Sequence, residues 1–382
     1  MEKMKIGRVL ITGGAGFIGS WLIPVLIDAG ASVRVLDCLS AQVHGRVPSM
    51  DYSILSHPAV EFIRGDVCNY TQLDEALGGC DAVVHLAAET GTAQSMYQID
   101  HYYKVNLQAT AALFEAVAAR HKNVTKIILA SSRSVYGEGA YEIDGQLAIP
   151  APRSIKQMEA GQWELVHVDG RALRLIATPE SVALRPASIY AATKAAMEQL
   201  GAIFADAYNA SVIALRFQNV YGERQSLRNP YTGILSIFSN RMRQQLPISI
   251  FEDGNESRDF VHVSDVSRAI RSAIESPIAG FHAVNIGSGS PTSVLEVAKR
   301  LRSILKSESK ITVSGEFRSG DIRHCYADLA KAAELFDYAP AVSIEDGFAR
   351  FAAWVVTQPL VPDRSRDAQV ELTMRGLGRV SR

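Results

Sequence analysis

The first 130 residues of the chain alternate regularly between short apolar runs and segments with helical patterning. The apolar runs are residues 8–12, 32–37, 60–67, 81–88 and 126–132, and helical patterns lie near 17–29, 71–78 and 100–120. Runs this short and this apolar are typical of strands that are buried on both faces of a parallel sheet. Because strands and helices alternate, the sequence predicts an α/β fold built on a doubly wound parallel sheet.

Beyond residue 137 the alternation stops, and this divides the chain into regions. Residues 138–187 contain four prolines and no clear periodicity, which indicates a long insertion. A helix is predicted at 189–208 and a further strand at 211–217. We therefore expect a first domain over residues 1–215, a smaller α/β lobe over 216–356 that is interleaved with it, and a C-terminal tail over 357–382.

Charge and cysteine content argue against several classes of protein. Thirty-nine basic and forty acidic residues give a formal net charge of −1, so no nucleic acid is expected as a partner. The four cysteines lack the paired spacing of zinc sites and disulfide frameworks. They are Cys38, Cys68, Cys80 and Cys325. We expect no metal and a reducing, cytoplasmic location.

An apolar stretch near the N-terminus has some features of a signal peptide, since Lys3 and Lys5 precede it. Hydroxyl residues and four glycines interrupt this stretch before Asp28, which argues against secretion. No segment reaches the roughly 20 uninterrupted apolar residues that a membrane span needs. Neither a secreted nor a membrane protein is expected.

A glycine-rich turn joins the first strand to the first helix. Gly13, Gly16 and Gly19 let the backbone turn tightly and approach a pyrophosphate at the N-terminus of the helix. Asp37 ends the second strand, where its carboxylate can accept a hydrogen bond from a ribose 2′-hydroxyl and would repel a 2′-phosphate. The sequence thus predicts a Rossmann-like domain that binds NAD in preference to NADP, with Phe17 and Ile18 in the same turn.

Two further strand ends fall on the edge of the sheet where ligands bind. Asp66 and Val67 end the third strand, and Leu86, Ala87 and Ala88 end the fourth. Ligands of doubly wound sheets lie at the carboxyl ends of the strands. We expect these five residues to contact the cofactor, although an aspartate in the position of Asp66 is equally common as a turn residue.

Three residues form a candidate reaction centre. Tyr190 and Lys194 are four positions apart and share one face of the predicted helix. A neighbouring ammonium group stabilises a phenolate, so Tyr190 can act as a base, with Ser132 donating to the same substrate oxygen. The alternative is that Lys194 pairs with Glu198 on the surface. The first interpretation predicts hydride transfer by the cofactor and proton transfer by the protein.

These motifs together resemble one family. The chain is similar to the extended short-chain dehydrogenases/reductases, in the branch of nucleotide-sugar epimerases and dehydratases, over roughly residues 5 to 356. The matching motifs are residues 12–19, Asp37, "GDV" (65–67), "HLAA" (85–88), "SSRSVYG" (131–137), "YAATK" (190–194), "RFQNVYG" (216–222) and "RDFVHVSDV" (258–266). Such a number of motifs in the right order and structural context is highly specific.

The resemblance implies roles for residues that the patterns alone do not assign. Asn106 would lie beneath the cofactor and help to hold Lys194. Ser95, Ser132, Ser134 and Asn219 would contact the substrate, a dTDP- or UDP-sugar. Arg258 and Arg318 would bind its diphosphate, Asp321 would bind a ribose, and Cys325 occupies the position of a residue that controls pocket size.

Two positions in "SSRSVYG" bear on the reaction. The resemblance implies that 4,6-dehydratases of this branch carry aspartate and glutamate where this chain has Arg133 and Ser134. Elimination of water needs such an acid and base in addition to the tyrosine. We therefore expect epimerisation at C4, in the manner of the UDP-galactose 4-epimerases and dTDP-L-rhamnose 4-epimerases, with dTDP-6-deoxy-L-talose as one candidate product.

The sequence leaves two alternative functions open, and it leaves the oligomeric state open as well. A dehydratase, reductase or decarboxylase of the same branch is one alternative. A dinucleotide-binding sensor without catalysis is the other, although such proteins usually lose the tyrosine or lysine that this chain retains. The resemblance also implies a homodimer, formed by helices near 104–120 and 189–208.

Overall fold

The large sheet of the protein has seven parallel strands. The structure is a computed structural model and describes residues 6–45, 52–148, 150–229, 233–318, 321–363, 370–371 and 373–380. The strands lie in the spatial order Gly280–Ile286, Ser211–Phe217, Lys126–Ser132, Ala82–His85, Arg8–Thr12, Ser32–Asp37 and Val60–Arg64. The α/β fold with a doubly wound, Rossmann-like sheet is confirmed.

Alternate residues of each strand face the two layers of helices. In the first strand Val9 and Ile11 pack into one apolar core, while Leu10 packs into another. Helices Phe17–Asp28 and Val263–Glu275 cover the first face, and helices that include Ala109–Arg120 and Ile189–Tyr208 cover the second. Burial on both faces explains why the strand sequences are almost continuously apolar.

Two strands are shorter than the sequence predicts. The third ends at Arg64 and the fourth at His85, so Asp66 and the segment 86–88 lie in the following loops. After Gly65 the backbone turns away, because the Asp66 Oδ1 accepts a hydrogen bond from the Cys68 N–H at 2.9 Å. The side chains still lie at the carboxyl edge of the sheet.

The helices follow the predicted pattern with one interruption. The predicted segment 100–120 consists of Ile99–Tyr102, a π-helical turn Tyr103–Gln108 and Ala109–Arg120. The remaining helices of four or more residues are Phe17–Asp28, Ala41–His44, Tyr70–Leu77, Thr92–Ser95, Ile155–Glu159, Ile189–Tyr208, Ile234–Arg243, Val263–Glu275, Val294–Ile304, Ala330–Phe336 and Ile344–Thr357, with 3-10 turns at Ser53–Ser56 and Arg133–Tyr136. In the described parts of the chain, no helix has the length and apolarity that crossing a membrane requires.

A smaller lobe lies beside the carboxyl edge of the large sheet. Its strands are Asn219–Tyr221, Ser257–His262, Pro291–Ser293 and His324–Cys325 in one sheet, and Ile248–Ile250 with Ile311–Val313 in another. Helices 234–243, 294–304 and 344–357 enclose its own apolar core. The chain does not remain in this lobe, since Gly280–Ile286 returns to form the edge strand of the large sheet.

The insertion and the tail have structures of their own. The insertion contains a three-stranded antiparallel sheet, Tyr141–Ile143, Gln146–Ala148 and Arg174–Leu175. The tail was expected as an appendage beyond residue 356, whereas strand Gly378–Val380 pairs antiparallel with Glu316–Arg318 of the lobe. Residues 364–369 of the tail lie outside the described residues.

Candidate active site

A cavity of about 780 Å³ runs along the carboxyl edge of the large sheet and faces the lobe. It brings together sixteen residues that the sequence analysis singled out: Gly13, Gly16, Phe17, Ile18, Gly19, Asp37, Asp66, Val67, Leu86, Ala87, Ala88, Ser132, Ser134, Tyr190, Lys194 and Asn219. These residues come from five strand ends, two helix starts and one strand of the lobe. The fold therefore assembles one continuous site from segments about 200 residues apart in sequence.

The glycine-rich turn closes one end of the cavity. Gly13 has a φ of +68°, and a Cβ there would lie 2.7 Å from the Ala87 nitrogen. A Cβ on Gly19 would lie 2.3 Å from the carbonyl oxygen of Gly14. Helix Phe17–Asp28 begins after Gly16 without any side-chain cap, so its first N–H groups face the cavity. The turn fits a pyrophosphate at the N-terminus of this helix.

Asp37 is held in place by backbone N–H groups. Its two carboxylate oxygens accept hydrogen bonds from the N–H groups of Ala15, at 3.0 Å, and Leu39, at 2.8 Å. The side chain is buried and lines the cavity. A carboxylate fixed beside the glycine-rich turn can accept hydrogen bonds from the two hydroxyl groups of a ribose. The residues present therefore fit an NAD molecule.

Tyr190 opens the longest helix of the protein, Ile189–Tyr208. Ser188 caps this helix by accepting a hydrogen bond from the Ala191 N–H at 3.2 Å. The Tyr190 N–H donates instead to the Ser95 Oγ at 3.0 Å. Ser95 is fully buried and does not line the cavity, so it supports the tyrosine and is not in a position to contact the substrate as expected.

The Tyr190 phenol, the Lys194 ammonium group and the Ser132 hydroxyl meet at the centre of the cavity. Lys194 Nζ lies 5.8 Å from the Tyr190 ring centroid and donates to the Ala130 carbonyl oxygen at 2.8 Å. Burial lowers the pKa of Lys194 to about 8. Burial raises the pKa of Tyr190, and a hydrogen bond from Ser132 and the charge of Arg133 act in the opposite direction. Ser132 and Arg133 therefore offset part of the cost that burial places on the phenolate, and the net direction is a raised pKa of Tyr190.

Ser134 orients the Ser132 hydroxyl. The Ser134 Oγ and N–H both donate to the Ser132 Oγ, at 3.0 and 3.2 Å. Because the Ser132 oxygen already accepts two hydrogen bonds, its own hydrogen is directed towards Tyr190 and the cavity. The contacts of Ser134 therefore indicate that it positions Ser132. They do not resemble those of an acid or base that exchanges protons with a sugar.

The alternative pairing of Lys194 with Glu198 does not occur. Glu198 instead pairs with Arg216 of the neighbouring strand at 2.7 Å, and both side chains are buried. Asn106 lies in the π-helical turn and is buried as well. Its amide donates to the Thr193 Oγ1 at 3.1 Å, so it holds the helix next to Lys194 without contacting the lysine itself.

The lobe contributes a second group of charged residues. Arg258 and Asp321 face each other at 3.5 Å, and the Arg318 guanidinium stacks on the Phe251 ring at 4.6 Å from its centroid. None of these residues lines the large cavity as the described residues define it. Cys325 is fully buried beside Thr178 and also lies behind the cavity wall.

The sequence analysis assigned no role in the site to two residues that line the cavity, Arg133 and Gln218, and it missed an aromatic residue of the lobe. Arg133 was noted only for what it replaces, yet it lines the cavity and binds the Asn219 side chain. Gln218 lines the cavity with both polar atoms of its amide buried and unpartnered among the described residues. Phe251 provides the aromatic surface under Arg318. The available signal was position in the sequence. Arg133 directly follows the serines of "SSRSVYG", and Gln218 directly precedes Asn219 in "RFQNVYG".

The insertion encloses a second cavity of about 450 Å³ next to Asp321. A buried ion pair ties this insertion to the lobe, since Arg153 pairs with Glu252 at 2.8 Å. Within the lobe, Arg323 pairs with Asp253 at 2.7 Å. Arg323 also pairs with Glu164 of the insertion. The acidic residues Glu164, Glu252 and Asp253 therefore have arginine partners, Arg153 and Arg323.

Comparison with known proteins gives the family. A model of the NAD dependent epimerase/dehydratase family matches residues 9–155 and 168–287. The chain belongs to this family. Its dependence on NAD agrees with the fit of the glycine-rich turn and Asp37. The resemblance stated from the sequence motifs is confirmed.

Individual relatives match nearly the whole chain. The dTDP-L-rhamnose 4-epimerase of Burkholderia thailandensis is 35% identical over 354 residues, which are 92% of this chain and 95% of that protein. The structure of UDP-glucose 4-epimerase from Thermotoga maritima with UDP-glucose is 28% identical, with a TM-score of 0.74, and covers 92% of this chain and 99% of its own. UDP-glucuronic acid 4-epimerase from Bacillus cereus, in complex with UDP-glucuronic acid and NAD, is 26% identical with a TM-score of 0.73 and the same coverage.

Proposed function

We propose that this member of the family is a 4-epimerase that inverts C4 of a nucleotide-diphosphate sugar through a transient 4-keto sugar. The observation that carries the proposal is the meeting of Tyr190, Lys194 and Ser132 in the cavity, with Arg133 and Ser134 beside them and no acid and base at those two positions. An elimination of water would require such a pair. The names of the relatives make dTDP-L-rhamnose, UDP-glucose and UDP-glucuronic acid candidate substrates.

Bound NAD supplies the reversible removal and return of the hydrogen on C4. The residues of the chain perform the remaining work. Tyr190 takes the proton of the C4 hydroxyl, and Ser132 donates a hydrogen bond to the same oxygen. The Lys194 ammonium group, held by the Ala130 carbonyl, stabilises the phenolate electrostatically. Arg258 and Arg318 are proposed to bind the diphosphate, since each guanidinium presents a planar set of donors.

Nuclear magnetic resonance of the reaction in deuterated water tests the proposal. A 4-epimerase converts one nucleotide sugar into its C4 epimer without adding deuterium to the ring. A dehydratase would place deuterium at C5, and a reductase would consume added NADH in proportion to product. Either of these results would contradict the proposal.

The variant Tyr190→Phe separates catalysis from cofactor binding. Removal of the phenol oxygen removes the base, so we expect turnover to fall by about 100-fold or more while NAD remains bound. Turnover is measured by the same resonance assay, and NAD binding by calorimetry. Unchanged turnover would contradict the assigned role of Tyr190, and absence of turnover in the wild type with all three candidate sugars would favour a binding protein.

We also propose a homodimer. Ile203 and Tyr208 of helix Ile189–Tyr208 are more than half exposed, and Ile99 and Tyr103 at the start of the neighbouring helical segment are nearly so. The two segments pack against each other on one side of the large sheet. Large apolar side chains concentrated on one surface are typical of a protein interface.

A further inference from the structure

Arg133 places a positive charge in the wall of the cavity directly after Ser132. Its Nε donates a hydrogen bond to the Asn219 Oδ1 at 2.8 Å, which fixes the orientation of the guanidinium. Its Nη1 is shielded from solvent and has no hydrogen-bond partner among the described residues. Part of this cation is therefore buried without the partner that a buried charge requires.

The groups around Arg133 do not neutralise it. The charged or polar groups that act on Arg133 are Arg258, the buried Cys325 thiol and Asp321, and Arg133 itself acts on Tyr190. Asp321 pairs with Arg258, at 3.5 Å, and no carboxylate of the described residues forms an ion pair with Arg133. Burial and the charge of Arg258 lower the pKa of Arg133, as expected for an uncompensated cation.

Arg258 differs from Arg133 in that its guanidinium has several hydrogen-bond acceptors. Its Nη1 donates to the carbonyl oxygens of Ser257 and Arg323, at 2.9 and 3.0 Å, and its Nη2 faces Asp321. The surrounding backbone therefore compensates Arg258 in the absence of a ligand. Arg133 has the Asn219 amide oxygen and the Cys325 sulfur as partners, and its Nη1 has none among the described residues. A ligand in the cavity is therefore a further source of acceptors for Nη1.

The position of Arg133 selects the part of the substrate that it meets. Ser132 and Tyr190 hold the oxygen on the reacting carbon, and Arg133 is the next residue in the chain. The proposed diphosphate residues Arg258 and Arg318 belong to the lobe. The charge of Arg133 acts on Tyr190, and the charge of Arg258 acts on Arg133, so Arg133 is near both the reacting group and one proposed diphosphate residue. A substituent of the sugar ring is therefore the part of the substrate that we expect next to Arg133.

We propose that Arg133 binds a carboxylate on the sugar ring, so that the preferred substrate is a nucleotide-diphosphate uronic acid. This inference rests on the proposed function. A carboxylate accepts hydrogen bonds from a guanidinium in a planar, charge-assisted arrangement. A methyl group in the same place would leave the buried Nη1 of Arg133 unpaired, which is unfavourable for a charged donor. A 6-deoxy sugar such as rhamnose therefore fits less well.

Binding to the catalytically inactive variant Tyr190→Phe, saturated with NAD, tests the proposal. Calorimetry compares UDP, UDP-glucose and UDP-glucuronic acid, which share the nucleotide and differ in the sugar. We expect UDP-glucuronic acid to bind at least about ten-fold more tightly than UDP-glucose, because one charge-assisted contact is gained. Adding Arg133→Met should remove this difference and leave the affinity for UDP unchanged within about two-fold.

Two control variants keep the result interpretable. Arg133→Lys keeps the charge and should retain part of the preference for the uronic acid. Arg318→Met, at the proposed diphosphate site, should weaken all three ligands by a similar factor. Unchanged NAD binding and melting temperature verify that each variant is folded.

Three outcomes have distinct meanings. Equal or tighter binding of UDP-glucose relative to UDP-glucuronic acid would overturn the inference. Loss of UDP affinity in Arg133→Met, as large as the loss for UDP-glucuronic acid, would also overturn it, because it would assign Arg133 to the phosphates. If the preference for the uronic acid is found but the wild type interconverts no C4 epimers, the proposed function fails and the binding site remains.

Discussion

Glu256 carries a carboxyl group that folding removes from water almost completely. Burial raises its pKa from 4.5 to about 7, and nearby Arg258 offsets this only in part. The folded state therefore holds this proton more tightly than the unfolded state does. The contribution of Glu256 to stability decreases as the pH rises from about 4.5 to 7 and stays decreased above 7.

The variant Glu256→Gln measures this effect. The shift corresponds to a penalty on the order of 3 kcal/mol at high pH, which the amide does not incur. We expect the melting temperature of the variant, relative to the wild type, to increase by several degrees between pH 5 and pH 8. Glu115→Gln, at an exposed helix position, is the matched control. A difference that does not depend on pH would show that Glu256 is ionised throughout.

Ser95 illustrates a residue whose role changes when the contacts are known. The family resemblance places it on the substrate, but its hydroxyl accepts the hydrogen bond of the Tyr190 N–H and donates to the Thr92 carbonyl. We expect Ser95→Ala to lower kcat by about ten-fold through misplacement of the phenol, with KM changed by less than about two-fold. Steady-state kinetics separate the two constants. A rise in KM with unchanged kcat would restore the role of a substrate contact.

At the scale of elements, the C-terminal tail contacts two separate parts of the protein. Strand Gly378–Val380 pairs with Glu316–Arg318 of the lobe, which carries one proposed diphosphate arginine. In the large domain the Tyr97 hydroxyl donates to the Glu371 carboxylate at 3.1 Å, and the Arg375 guanidinium lies 4.2 Å from the Tyr97 ring centroid. The tail therefore connects the lobe to the loop that supports Tyr190.

Removal of the tail tests this connection. A chain that ends at Asp363 loses the strand next to Glu316–Arg318, so the arginine is less well positioned. We expect KM for the nucleotide sugar to rise by about ten-fold with unchanged affinity for NAD, because no hydrogen bond or ion pair of the described residues joins the tail to the glycine-rich turn. Tyr97→Phe removes one of the tail contacts and should give a smaller effect in the same direction. An unchanged KM would mean that the pairing is dispensable for binding.

Sequence patterns predict the elements of the large sheet well because those elements are buried on both faces. The strand at 126–132 and the helix at 189–208 agree with the structure residue by residue. The structure of the insertion could not be predicted, since ion pairs with the distant lobe hold it in place: Glu164 binds Arg323, and Arg153 binds Glu252. Pairings over such separations leave no periodic signal along the chain.

At the scale of the whole molecule, the proposed homodimer rests on the exposed apolar side chains of the helices at 99–120 and 189–208. If this interface forms, Ile203→Glu should give a monomer, because a charge would have to be buried in the interface. Light scattering on a concentration series gives the mass. Val168→Glu, at a highly exposed position on the insertion, is the control and should leave the dimer intact. A wild-type protein that is monomeric at all concentrations would refute the proposed interface.

The candidate site was predictable to the extent that its residues lie at strand ends. Sixteen residues singled out from the sequence line one cavity because parallel strands present their carboxyl ends at a common edge. The positions of Arg258, Asp321 and Cys325 relative to that cavity depend on how the lobe packs, which no local pattern encodes. Arg133 is the clearest example, since the sequence shows a cation but not that its Nη1 is unpaired.

The return of strand Gly280–Ile286 to the large sheet has a practical consequence for engineering. The chain leaves the lobe to supply an edge strand, which is paired along its whole length with Ser211–Phe217, and then returns to the lobe. A hybrid enzyme made by exchanging the lobe with that of a relative would therefore also exchange part of the sheet that supports NAD. Transfer of sugar specificity between relatives is better attempted through individual wall residues, starting with Arg133 and Gln218.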